Sequence, residues 1–192
     1  MRANLLSREV TPFLLAFSGL VVAALLSDAV LHGLDAVWIG RYLGIPGSLL
    51  ILGSITYSLR KRRLIRLGQT ARLLRWHEYM AWLGSLLVLV HAGVHFNAIL
   101  AWLATAAMLV NVISGLTGKF LLDRSRRRLE EARQRMRQKE LAGEDIEERL
   151  YRDSLTFDVM KQWRVVHLPI TLAFAVLALA HIVAVFLFWG WK

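Results

Sequence analysis

The chain has 192 residues, 56% of them hydrophobic, yet it carries 24 Lys and Arg against 14 Asp and Glu, for a net charge of +10. A soluble domain is usually less apolar and a disordered basic chain lacks such hydrophobic content. Charge that is segregated from long apolar runs points away from nucleic acid and toward a lipid bilayer as solvent. With no Cys, the chain can hold no disulfide, thiolate-ligated iron–sulfur cluster, zinc ribbon or covalently attached haem, so any redox centre must use other ligands.

Apolar stretches lie at 11–33, 42–59, 77–97, 99–121 and 165–190. Each approaches the ~20 residues needed to cross a hydrocarbon core about 30 Å thick. They predict an all-α integral membrane protein, a five-helix transmembrane bundle forming one domain over 1–192. The first stretch follows Arg2 and Arg8 and lacks a small-residue cleavage site, so it is expected to be a retained span. The second contains Pro46, Gly47 and Gly53, which membrane helices tolerate when neighbours cover the freed backbone groups.

Orientation follows from the cations. Between the second and third stretches, Arg60, Lys61, Arg62, Arg63, Arg66, Arg72 and Arg75 occur with no acid, whereas residues 32–43 offer Arg41 against Asp35. The excess of positive charge on cytoplasmic loops puts the N-terminus and both long linkers inside, and Trp189, Trp191 and Lys192 outside. The expected location is multi-pass in a bacterial inner membrane. The basic run serves topology, with lipid-headgroup or partner binding an additional role.

Residues 122–163 form a charged, helical cytoplasmic insertion. Arg124 to Arg128 precede a Glu/Arg-rich stretch to Glu140, in which Glu131 and Arg135 can pair at i,i+4. A break is expected near Gly143, followed by an amphipathic segment with Ile146, Leu150, Phe157 and Met160. Mixed charge argues against a nucleic-acid arm.

Five of the six histidines fall in two stretches: His77, His91 and His95 in the third, His167 and His181 in the fifth. Ionisable groups inside a membrane are costly and point to function. His77 and His91 are 14 residues apart, and so are His167 and His181. On a helix that interval leaves ~40° of rotation and ~21 Å of rise, so each helix presents two imidazoles on one face, one near each side of the membrane. The two helices run parallel, which brings His77 level with His167 and His91 level with His181. Neutral imidazole is a haem ligand, and b-type haem needs no Cys. Two bis-imidazole haem b sites are therefore expected, the inner on His77 and His167 and the outer on His91 and His181. Gly84, midway along its helix, is expected to leave room for a macrocycle, and Phe174 to fill the space between the two rings. Cations of the 60–75 loop with Arg164 would compensate inner propionates, and Arg41 outer ones.

His95 lies one turn beyond His91. As a ligand it would separate the two levels by ~27 Å and lose the match to the fifth helix. It is expected above the outer haem as a non-ligand group bonding a propionate or an acceptor such as oxygen or a quinone, or as a polar residue of the interface region. Alternatives remain for the whole set. The histidines could be interhelical hydrogen-bonding groups, or belong to a metal carrier, although tetrahedral sites need ligands clustered within a few ångströms. Asp28 can pair with His32 at i+4.

The segment His77-Glu-Tyr-Met-Ala-Trp-Leu-Gly-Ser-Leu-Leu-Val-Leu-Val-His91-Ala-Gly-Val-His95-Phe-Asn97 resembles the third membrane helix of the ferric reductase and NADPH oxidase superfamily. That family holds two b haems between its third and fifth helices. The resemblance extends over roughly residues 40–190 and is specific in helix 3 and the His167/His181 pair. It further implies an acceptor-site role for Arg41 and His95, a match for Arg60 at the inner end of the second helix, and an aromatic between the haems at Phe174. No flavin or NAD(P)H site is expected in this chain. The expected function is a diheme cytochrome b, an oxidoreductase component moving electrons across the membrane with a donor or acceptor subunit at its cytoplasmic face. The 122–163 insertion is then either the docking surface for that partner or a connector. The alternatives are a quinone-linked cytochrome b anchor of a membrane dehydrogenase, and a non-redox assembly subunit or metal carrier.

Overall fold

The computed structural model describes residues 2–66, 68–94, 99–122 and 144–188; for 2–9, 94, 121–122, 144–162 and 164 the description is of backbone only. The described chain is helical throughout: α1 (Arg2–Gly33), α2 (Val37–Tyr42), α3 (Gly44–Lys61), α4 (Thr70–Val94), α5 (Ile99–Thr117) running into a π-helical turn (Gly118–Leu122), and α6 (Glu144–Phe188). Four segments are long and apolar enough to cross a membrane: Val10–Gly33, Val37–Lys61, Ile99–Phe120 and Val165–Phe188. Leucines and aromatics such as Leu15, Leu172, Leu179 and Phe186 stand exposed along them, as expected of surfaces whose solvent is lipid rather than water.

The third expected span forms as α4, but it starts at Thr70 and is not among those four segments. Its 25 residues rise about 38 Å, ample for a bilayer. What sets it apart is polarity, since His77, Glu78 and His91 lie within it. The second stretch begins earlier than expected, at Val37, and is interrupted at Leu43 between α2 and α3. Pro46 is harmless there because it sits in the first turn of α3, where backbone N–H groups have no helical partner. The amphipathic segment after Gly143 is continuous with the last span in one 45-residue helix. The Arg124–Glu140 stretch and the Gly143 break lie outside the described residues.

Helix α4 occupies the middle of the bundle, packed most extensively on α3 and also on α1, α2 and α5, while α6 packs on α5. Leu20, Val90 and Met108 are fully buried where these helices meet. The α3–α4 crossing is close because two glycines oppose one another. A Cβ on Gly84 would lie 2.9 Å from the Gly47 carbonyl oxygen and 2.8 Å from Ile51 Cγ1, and one on Gly47 would lie 3.0 Å from the Gly84 oxygen. Small residues of this kind let membrane helices approach backbone to backbone. Gly84 is thus a packing residue turned toward α3. By contrast, α4 and α6, the two helices that carry the histidine pairs, hardly pack against each other through their backbones.

Candidate functional site

The outer pair is brought together. The rings of His91 on α4 and His181 on α6 have centroids 6.4 Å apart, with planes inclined at 59°. Two imidazoles ligating one metal from opposite sides would need about 2 Å per metal–nitrogen bond plus about 1.1 Å from nitrogen to ring centre, or roughly 6.2 Å between centroids. His91 Nδ1 lies 3.2 Å from the Gly40 carbonyl oxygen. A carbonyl only accepts, so Nδ1 carries the proton in this contact. Gly44 makes this position possible: a Cβ there would lie 2.9–3.0 Å from Cγ, Cδ2 and Nε2 of the His91 ring.

His77 and His167 have supports of their own. His77 Nδ1 donates to the Ser54 carbonyl oxygen at 2.9 Å, and the His77 ring sits 5.5 Å from that of Tyr57. Ser54 is buried, and its hydroxyl bonds back to the Ile51 carbonyl at 2.7 Å. His167 Nδ1 is 2.9 Å from Ser114 Oγ on α5, and its ring stacks on Trp163 at 5.1 Å and 19°. Of the two expected pairs, His91 and His181 are the one whose rings approach each other, and no cluster of three or more His, Cys, Asp or Glu is present among the described residues.

The other expected residues are placed as follows. Phe174, between His167 and His181 on α6, is buried. Arg41 is on α2 next to Gly40, whose carbonyl anchors His91. Arg60 folds over the basic loop, donating from Nε to the Gly68 carbonyl at 3.3 Å and from Nη1 to that of Ile65 at 3.4 Å. His95 lies outside the described residues, as does the side chain of Arg164. Asp28 does approach His32, but the closer contact is between His32 Nδ1 and the Asp28 main-chain oxygen, 2.9 Å against 3.6 Å to Oδ2. Asp28 Oδ1 is buried near Gly93 with no hydrogen-bond partner.

Several residues the sequence reading passed over belong to the site. Ser54, Ser114, Trp163 and Gly44 hold or flank the imidazoles, and Thr171 bridges the Asn111 side chain and the His167 carbonyl. An available signal was the row of polar and small residues Asn111, Ser114 and Gly118 along one face of an otherwise apolar helix, which matches Trp163, His167 and Thr171 at helical spacing on α6. Glu78, beside His77, pairs with Lys119 in the π-helical turn at 2.6 Å. Compared with protein families, curated proteins and solved structures, the chain matches none.

Proposed function

We propose that the chain is a diheme b-type cytochrome that carries single electrons between the two faces of a membrane. The observation that carries this reading is the outer pair: two imidazoles from different helices at a bis-ligand separation, one with its Nδ1 proton committed to a backbone carbonyl. The outer iron would be held by His91 and His181 and the inner by His77 and His167. Haem supplies reversible one-electron chemistry that the side chains of this Cys-free chain do not offer.

The chain's own residues do the rest. Gly40, Ser54 and Ser114 orient the ligands and raise their basicity through Nδ1. Apolar side chains exclude water, which sets the local dielectric. In this reading α4 is the fifth span, its polarity explained by its ligands, with the N-terminus in the cytoplasm and the C-terminus outside. Arg41 lies at the outer end and the 60–75 cations at the inner end, where each compensates propionate charge. A cytoplasmic donor or acceptor subunit and a bacterial inner-membrane location complete the proposal.

Reduced-minus-oxidised spectra of the purified chain test it. A b-type band with about two haems per chain is the expected result. Well-folded protein that takes up no haem would sink the reading.

A further inference from the structure

The proposed ligands are held by two kinds of acceptor. His91 and His77 each face a backbone carbonyl, fixed in place by its helix. His167 alone among these three faces a side-chain hydroxyl, Ser114 Oγ at 2.9 Å. The same Ser114 also accepts, through its carbonyl oxygen, a hydrogen bond from Trp163 Nε1 at 3.0 Å, and Trp163 stacks on the His167 ring. One residue of α5 thus sets both the hydrogen bond at Nδ1 and the aromatic plate that fixes the ring's rotation. Gly118, one turn further on at the start of the π-helical turn, leaves the space that the six-membered ring of Trp163 occupies; a Cβ at that position would overlap it. Thr171 adds a bond to the His167 carbonyl at 2.9 Å, so the ligand's own turn of helix is held as well.

We infer that Ser114 is a positioning residue that tunes the inner redox centre independently of the outer one, by accepting the His167 Nδ1 proton and seating Trp163 against the ring. The inference rests on the diheme reading. Its physical basis is that a hydrogen bond accepted from Nδ1–H makes the imidazole a more electron-rich ligand, which favours the oxidised metal and lowers the midpoint potential. A hydroxyl can rotate and can also donate, so this support is adjustable in a way that a helix carbonyl is not.

The test is a potentiometric titration of both haems in the purified full chain, wild type against Ser114→Ala, Ser114→Thr and Trp163→Phe. Ser114→Ala should favour the reduced inner haem by up to about tenfold, equivalent to a rise of up to about 59 mV in its midpoint for a one-electron couple. The outer midpoint should stay put, and Ser114→Thr, which keeps the hydroxyl, should restore the inner value. Trp163→Phe keeps the hydroxyl but removes the indole bond, and should broaden the low-spin ferric resonance of the inner haem with little change at the outer one. If Ser114→Ala and Trp163→Phe retain haem yet move neither the inner midpoint nor its resonance, or move both haems equally, the inference is wrong. A wild-type chain without haem would instead contradict the diheme reading itself.

Discussion

The two ends of the bundle solve one problem in two ways. At the outer end, His91 is fixed by main chain: the Gly40 carbonyl takes its Nδ1 proton and the bare backbone of Gly44 lies against its ring. At the inner end, His77 also bonds a backbone carbonyl, whereas His167 is fixed by side chains: Ser114, Trp163 and Thr171. Backbone supports are insensitive to most substitutions but intolerant of added volume. Side-chain supports behave in the opposite way, so the ends should respond differently to the same class of mutation.

The largest expected effect is at Gly44. Gly44→Val places carbon within 3 Å of three His91 ring atoms, and the ring must leave its position. Loss of second-layer geometry of this kind costs about 10- to 100-fold in metal affinity, so the haem content should fall from about two to about one per chain while the inner spectrum survives. Retention of both haems would erase the contrast between the ends.

Gly84→Ala comes next and should act on packing. Its Cβ would meet Ile51 and the Gly47 carbonyl, and overpacking of a tight contact costs about 1–3 kcal/mol. Thermal unfolding in detergent should show a lowered midpoint with both haem bands preserved at low temperature. Selective loss of one haem would restore the idea that Gly84 makes room for a macrocycle.

Lys119→Ala should be smaller still. Its partner Glu78 is adjacent to His77, but both side chains are partly exposed, and such ion pairs contribute about 0–1 kcal/mol. A change of that size, reduced further by salt, is expected in the same melting experiment. The smallest effect belongs to Ser54→Ala. His77 bonds the Ser54 carbonyl rather than its hydroxyl, so the absorbance and the inner midpoint should be unchanged. A shift comparable to that expected for Ser114→Ala would show that the inner end does not distinguish backbone from side-chain support.

Much of this arrangement was legible in the sequence because helical periodicity is exact enough to project 14 residues onto one face. That interval marked His77, His91, His167 and His181, and the structure adds that His91 and His181 meet. Four of the apolar stretches read from the sequence correspond to helices able to cross a membrane, and α4 escapes that set because the residues that make it interesting also make it polar. What periodicity along one helix does not contain is the identity of the neighbour. Gly84 shares a face with the histidines, yet its missing side chain points at α3. Ser114 and Gly44 look like ordinary small residues of apolar helices until the partner helix brings an imidazole against each. Trp163, one turn before His167, read as part of a charged insertion because the composition changes there, whereas α6 continues through it as one helix.

The central claim is the pairing of ligands, and the haem-to-chain ratio in double substitutions reads it most directly. If His91 shares its iron with His181 and His77 with His167, then His91→Ala with His181→Ala should retain about one haem per chain, the same as either single variant. His91→Ala with His167→Ala should retain none. Equal haem contents in the two double variants would contradict the account.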